Sequence, residues 1–346
     1  MQLLVRIAVG YFLAATLVVA LFRDDPLALV GEILQSIPAS LNFFVMVAGS
    51  IPLPGLLGAG ALLLVLMPRQ GVFVRLSRGV LAIFACTGFY LTFAMLKTSL
   101  PFILPFWADP MLTQLDSALH LGHAPWALTH ALSGWLDAGL MATIYFKFWV
   151  TPATFLPALL LLLDPDAARI RRFTWLYAFV WIGLGNVLAL AFLSAGPVYR
   201  DRLLGGETFA GLATALDSVG VNATFMGAIY ERLWQSYASA GAEAGSGISA
   251  FPSVHLGMAT VIALYLFERW RFLAPVSLAL VATYQFLSVY LGWHYAVDGY
   301  ASILLVGLVW ALLRRRAGAG DEAGAGALGR KTRRMRAPEA SPIAAE

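Results

Sequence analysis

The sequence predicts an all-α polytopic membrane protein of about eight transmembrane helices, on three observations. Hydrophobic residues fill 60% of 346 positions and charged residues 12%, well below the roughly 25% charged share of a soluble domain. Apolar runs of about 20 residues, the length that crosses a bilayer, recur along the chain. Lys and Arg collect in connections that fall on alternate sides of those runs.

The runs lie at 3–22, 41–67, 79–98, 138–163, 173–194, 253–267, 272–291 and 297–313. The first, from Leu3 to Phe22, resembles a signal peptide in place only. It is long, lacks a small-x-small pattern before Arg23 and leads into further spans, so it reads as a retained helix. Pro52 and Pro54 interrupt the second and predict a kink there. Arg69, Arg75 and Arg78, then Arg169, Arg171 and Arg172, then Arg269 and Arg271, and finally Arg314, Arg315 and Arg316 mark one side. The connections 99–137 and 292–296 on the other side contain no Lys or Arg. Positive residues stay inside, which predicts cytoplasmic termini in a plasma (inner) membrane protein. The net charge of +4 therefore reads as topology and not as nucleic-acid binding. The single cysteine, Cys86, lies in an apolar run and allows no intramolecular disulfide.

Two exoplasmic connections are long. Residues 99–137 mix four prolines with Trp107, Trp126 and Trp135, a composition suited to turns and short interfacial helices that form a lid. Residues 195–252 carry Arg200 and Arg202 just after the fifth span. The expected organisation is two N-terminal helices (1–78), a core (79–313) and a basic cytoplasmic tail (314–346), disordered from Ala317 onward.

Two strings open the sixth and eighth spans: Gly247-Ile248-Ser249-Ala250-Phe251-Pro252-Ser253-Val254-His255 and Tyr290-Leu291-Gly292-Trp293-His294-Tyr295-Ala296-Val297-Asp298. Both stand on the exoplasmic side by the charge rule. Pro252 suits a first helical turn, which puts Ser253 and His255 at a helix amino end, a place that attracts phosphate. His294 and Asp298 are four apart, so on a helix the carboxylate can hold one ring nitrogen. A base, a nucleophile and an orienting acid are present together. Asp298 as a mere helix cap is the alternative. Lys147, about ten residues into a span, is a candidate for a polar cavity because an unpaired charge there costs roughly 2.5–3.5 kcal/mol. Lys97, near a span end, reads as a snorkelling anchor. Arg200 and Arg202 are candidate phosphate ligands, with a solvated loop charge as the alternative. His120, His123 and His130 read as structural. The first two, three apart, lack an evident third ligand, so no metal site is expected.

At these strings the sequence resembles the type 2 phosphatidic acid phosphatase (PAP2) superfamily. Pro252-Ser253-Val254-His255 resembles its second motif, Pro-Ser-Gly-His, with Val for Gly, and the string ending at Asp298 resembles its third. Leu287-Ser288 stands where the third motif has Ser-Arg, and the first motif, Lys-x6-Arg-Pro, is replaced in the reading by Ser194-Ala195-Gly196-Pro197-Val198-Tyr199. That pattern, with an upstream Leu115-Asp116, is similar to the inositol phosphorylceramide synthase branch. The resemblance implies a six-helix PAP2-like catalytic core in spans three to eight. It implies His294 as nucleophile forming a phosphohistidine, Asp298 as its orienting carboxylate and His255 as the acid. Ser253, Arg200, Lys147, Tyr199 and Gly196 are the candidates for holding substrate, with no metal or other cofactor required. The leading expectation is a metal-independent lipid phosphotransferase that moves a phosphate-containing headgroup from a phospholipid donor to a hydroxyl-bearing lipid acceptor. A lipid phosphate phosphatase using water, and a non-catalytic lipid-binding or transport protein, are the alternatives.

Overall fold

A computed structural model describes residues 1–35, 37, 38, 42, 45, 49, 52–239 and 247–335, with side chains to residue 316. Among these residues there are helices and no strands. A bilayer imposes this, because an apolar segment satisfies its own backbone only as a helix or in a closed barrel. The helices are α1 (Gln2–Phe22), α2 (Pro26–Gln35), α3 (Leu53–Leu66), α4 (Val72–Ser99), α5 (Asp109–Leu119), α6 (Pro125–His130), α7 (Ala138–Leu163), α8 (Ala167–Ala191), α9 (Pro197–Leu204), α10 (Ala210–Ser218), α11 (Phe225–Ala238), α12 (Val254–Arg269), α13 (Ala274–Tyr290) and α14 (Ala296–Met335). Part of α7, Thr143–Lys147, and part of α8, Phe179–Leu188, are wound as π-helix.

Among the described residues, six helices are long and apolar enough to cross a membrane: α1, α4, α7, α8, the helix containing α13, and α14 to Arg316. The sixth expected run is α12, only 16 residues long and enclosed by its neighbours along most of its length. For the second expected run, residues 41, 43, 44, 46–48, 50 and 51 lie outside the described residues. Pro52 caps α3 and Pro54 sits in its first turn, and the expected kink falls against residues outside the described ones. The third run begins earlier than expected, at Val72, because Gly71 (φ +68°) starts the helix and Arg75 reaches sideways to the Asp164 carbonyl. The backbone of α14 continues helically to Met335 through the expected irregular tail, where Ala, Arg and Lys favour helix.

Helix α12 is central, packed against α7, α8, α13 and α14. Glycines permit the approach: a Cβ on Gly257 would lie 2.8 Å from Val180, and one on Gly185 would lie 2.6 Å from Phe93 and 2.8 Å from Val254. At the end of the bundle away from His255 and His294, buried Asp164 accepts from Arg169 (Nε, 2.6 Å) and Arg269 (3.3 Å), while Glu268 pairs with Arg172 and accepts from Trp310 Nε1. These contacts tie the α7–α8 turn, α12 and α14 together. Residues 99–137 fold into the expected short helices, α5 and α6, over the opposite end.

Burial alone would raise the Asp164 pKa, but the Arg169 and Asp166 hydrogen bonds and the Arg169 and Arg269 charges outweigh it and hold the carboxyl below its usual range. Asp164→Ala is expected to cost roughly 2–4 kcal/mol, less than a fully buried pair because the arginines keep some solvent. Thermal unfolding in detergent checks this. The wild-type advantage should be complete above about pH 4 and shrink as acid protonates the carboxylate.

Candidate active site

The amino end of α12 is built by Ser253, whose hydroxyl accepts from Leu256 N–H at 3.3 Å as an N-cap. Pro252, expected in the first turn, lies before the cap, because Ser253 takes the extended backbone of a cap. His255 is the second residue of α12, and its ring is held between Trp149 (centroids 3.9 Å) and Tyr145 (4.4 Å, 8° between planes). Trp149 Nε1 also donates to the His255 carbonyl (3.1 Å). Tyr145 and Trp149 are four apart on α7 and share a face. Lys147, two from each, points away, and its ammonium lies 4.8 Å from the Phe225 ring centroid.

Between α13 and α14 the chain turns at Gly292 (φ +71°), and the Trp293 and His294 amides donate to the Ser288 carbonyl. His294 Nδ1 then meets Asp298 Oδ2 at 3.1 Å, and the same oxygen accepts from Tyr295 N–H at 3.1 Å. The predicted i,i+4 pair is formed across the amino end of α14. The His255 and His294 ring centroids are 6.0 Å apart. Burial and the Lys97 ammonium push the His294 pKa down to about 3, which leaves the imidazole neutral at pH 7. Asp298 accepts the Nδ1 proton in a hydrogen bond, so Nε2 carries the lone pair, while the nearby Ala250 backbone opposes part of the downward shift. Around the histidine pair, His255 Nε2, Asp298 Oδ1 and Tyr145 Oη are among the buried polar atoms without a partner in the described residues. Buried polar atoms are normally paired, so this cluster marks a place made for another molecule.

Lys97, in the last turn of α4, stands beside both histidines, and its charge acts on each. Its Nζ is 5.7 Å from the Phe93 ring centroid and makes no ion pair or hydrogen bond with another described residue. The snorkelling reading is thus corrected, because the site itself is the polar environment the ammonium reaches. The signal was present: six residues after Lys97 comes Leu104-Pro105, the spacing of the first motif with Leu for Arg, some ninety residues before the stretch assigned to it.

Two further carboxylates were missed. Asp109 and Asp116 are seven apart, on one face of α5. Asp109 accepts from Ala195 N–H (2.8 Å), Gly196 N–H (3.0 Å) and Tyr295 O–H (2.9 Å). Asp116 accepts from Ala296 N–H (3.0 Å) and Val297 N–H (2.9 Å), the first amides of α14. Burial raises both pKa values and these donors pull them back. Asp116 stood in the sequence only as part of Leu115-Asp116, and nothing in the sequence announces which amides either acid holds.

The other candidates are placed away from the histidine pair. Arg200 Nη1 bonds Asp201 (2.9 Å) and the Gly205 carbonyl, and Arg202 pairs with Glu231 (2.8 Å) and stacks over Trp234. Tyr199 gives its hydroxyl to the Tyr230 carbonyl (2.9 Å). Gly196 (φ +84°) packs between the two strings, and a Cβ there would lie 2.5 Å from the Trp293 carbonyl oxygen and 3.0 Å from Ala250. His120 donates from Nδ1 to the Asp116 carbonyl (2.7 Å), and His130 donates from Nε2 to the Tyr290 carbonyl (2.8 Å). Among the described residues no group of three His, Cys, Asp or Glu is placed to hold a metal ion.

A family model described as the PAP2 superfamily matches residues 110–312, more than half of the chain. No curated protein and no solved structure matches it. The matched stretch takes in Asp116, His255, His294 and Asp298, while Lys97 and Asp109 lie just upstream of it. The helices, the paired imidazoles and this match agree, and the chain belongs to the PAP2 superfamily, a family of lipid phosphatase and phosphotransferase chemistry.

Proposed function

We propose that this protein transfers a phosphate-containing headgroup between lipids through a phosphohistidine on His294. The observation that carries the reading is the His294–Asp298 pair, 3.1 Å between Nδ1 and Oδ2, beside a second histidine whose Nε2 is buried and unpartnered. In the first displacement His294 Nε2 attacks phosphorus, the bond from phosphorus to the donor alkoxide breaks, and His255 gives that oxygen a proton. Asp298 steadies the imidazolium character that develops on His294. In the second displacement the acceptor hydroxyl returns a proton to His255, its oxygen bonds phosphorus, and the electron pair of the N–P bond goes back to His294. Lys97 and the amino end of α12 meet the phosphate charge. His294 is only 7% exposed, which favours a lipid hydroxyl over bulk water as acceptor.

In this reading α3 and α12 also cross the membrane, giving eight crossings, cytoplasmic termini and a site open to the exoplasmic leaflet of the plasma (inner) membrane. The six helices α4, α7, α8, α12, α13 and α14 form the catalytic core. Ser288 in place of the motif Arg, together with Ala250-Phe251-Pro252-Ser253, supports a place near the inositol phosphorylceramide synthase branch, whose donors are phosphodiesters.

Purified protein given labelled phosphodiester donor with and without a lipid alcohol should yield a new phospholipid. Release of the headgroup as a free phosphomonoester would instead make water the acceptor, and neither product would leave a lipid-binding protein. His294→Ala should abolish turnover and any acid-labile phosphoenzyme. His255→Ala should still accumulate phosphoenzyme from a donor with a good leaving group, since that step needs little acid help. Full activity in folded His294→Ala would sink the mechanism.

Lys97→Met should lower kcat/KM by about one to two decades, the loss of a charge-assisted contact of roughly 1.5–3 kcal/mol, and lower it further on a monoester than on a diester. Arg200→Ala and Lys147→Met should change it little. Sidedness is checked by thiol labelling on intact cells, where buried Cys86 stays silent. Ser239→Cys should react with an impermeant reagent and Ala168→Cys should not. The reverse result would turn the protein over in the membrane.

A further inference from the structure

Tyr145 is a buried phenol to which the two displacements give no task. It is 1% exposed, its ring lies parallel to the His255 imidazole (4.4 Å between centroids, 8° between planes), and its hydroxyl has no partner among the described residues. We infer that Tyr145 is a further catalytic residue, whose hydroxyl donates a hydrogen bond to a non-bridging oxygen of the phosphoryl group as that group is transferred. The inference rests on the phosphohistidine reading for the reaction, and on the packing around Tyr145 for the residue.

Packing alone does not ask for this hydroxyl. The stack on His255 uses only the ring, which Phe would supply, and Phe146 and Phe148 stand beside it in the same helix. A buried hydroxyl without a partner costs about 1–3 kcal/mol, so a bare ring would be the more stable choice unless a ligand completes the phenol. The neighbouring phenols already donate elsewhere, Tyr284 to the Ile144 carbonyl (3.0 Å) and Tyr230 to the Leu291 carbonyl. Tyr145 sits in the π-helical stretch Thr143–Lys147, a winding often found at functional sites. The Tyr284 bond ties that winding to α13. Trp149 stacks on His255 as well, at 3.9 Å, so phenol and imidazole are held together.

The position suits a phosphoryl group. The His255 ring is 6.0 Å from the His294 ring, and the Asp298 carboxylate lies within electrostatic reach of the Tyr145 hydroxyl, so the phenol stands beside the pair that attacks phosphorus. Ser288 is no substitute, since it gives its hydroxyl to the Gln285 carbonyl (2.9 Å). A phenol holds its proton at neutral pH and can donate it in a hydrogen bond to an oxygen that can only accept. During phosphoryl transfer the charge is spread over the equatorial oxygens, and a fixed donor in a site short of water stabilises it. Tyr145 keeps its proton throughout. The N–P bond still forms at His294 as the donor P–O bond breaks, His255 still exchanges the proton, and the phenol serves the second displacement equally, whichever acceptor takes the group.

The test uses the full-length protein in lipid nanodiscs and Tyr145→Phe, which removes the oxygen and keeps the stack. Loss of one such donor should lower kcat by about 100-fold and leave KM little changed. Rapid quench should show phosphoenzyme formation and discharge slowed by similar factors, unlike His255→Ala, which accumulates the intermediate. Given the two diastereomers of a phosphorothioate diester donor, the wild type should prefer the one that keeps oxygen facing Tyr145, because sulfur is a weak acceptor, and Tyr145→Phe should narrow that preference several-fold. A kcat near that of the wild type, slowing of formation alone, or an unchanged diastereomer preference would each overturn the assignment, the last by making Tyr145 a packing residue. Should Tyr145→Phe fail to fold, 4-fluorophenylalanine at position 145 fills the space without the donor and decides in its place. Full activity in His294→Ala would remove the phosphohistidine reading, and no turnover of any donor by the wild type would remove both. Wild-type activity in Tyr145→Phe beside a dead His294→Ala would remove the Tyr145 assignment alone.

Discussion

Asp109 places one carboxylate among three segments that lie far apart in the chain: its own helix α5, the Ala195-Gly196 turn and Tyr295. The Ala195-Gly196 turn is joined in turn to both strings, since the Ser194 carbonyl accepts the Ala250 amide (2.8 Å) and the Val198 amide donates to Gly292 (3.0 Å). Two turns along the same face, Asp116 holds the amides that open α14. The separation of His255 and His294 is therefore set by amides gripped from one helix. Each such bond to a charged acceptor is worth roughly 1.5–3 kcal/mol, and away from bulk water the freed amides have few substitutes. Covering the site and aligning it are done by the same residues, so the lid is also a scaffold.

That scaffold explains how two imidazoles remain useful in a poor solvent for charge. Burial keeps His294 neutral, which a nucleophile requires, and Asp298 fixes which nitrogen bears the proton. His255 is clamped by aromatic faces that leave Nε2 without a protein partner. Among the described residues the Lys97 ammonium makes no ion pair. Such unpaired polar groups are costly while a site is empty, and a ligand that partners them in a low dielectric gains more from each contact. The opposite end of the bundle is closed by ion pairs around Asp164 and Glu268.

Much of this was legible in the residues. The four-residue spacing of His294 and Asp298 suggests a contact on one helix face, and the structure forms the contact with His294 just before the helix and Asp298 in its first turn. Ser253 acts as a cap, as its place before an apolar run requires. The bilayer-length runs appear as helices because a bilayer leaves an apolar segment no other way to pair its backbone. The cation was misplaced. Lys147 was favoured for its depth along the chain, yet depth does not say which way a side chain points, and π-helical winding between Thr143 and Lys147 turns Tyr145 and Trp149 to the histidine.

Composition and local spacing thus determined an all-helical membrane protein, the family strings and the histidine–aspartate pair, since these depend on hydropathy and on contacts within one helical turn. Tertiary structure alone decided that the Lys97 charge acts on both histidines, that Arg200 and Arg202 pair with Asp201 and Glu231, and that Asp109 bonds the Ala195 amide and the Tyr295 hydroxyl while Asp116 bonds the Ala296 amide. Those partners are separated by one to about 190 residues. A charge in a sequence announces a need for a partner, and only the packed chain settles which partner comes within hydrogen-bonding reach.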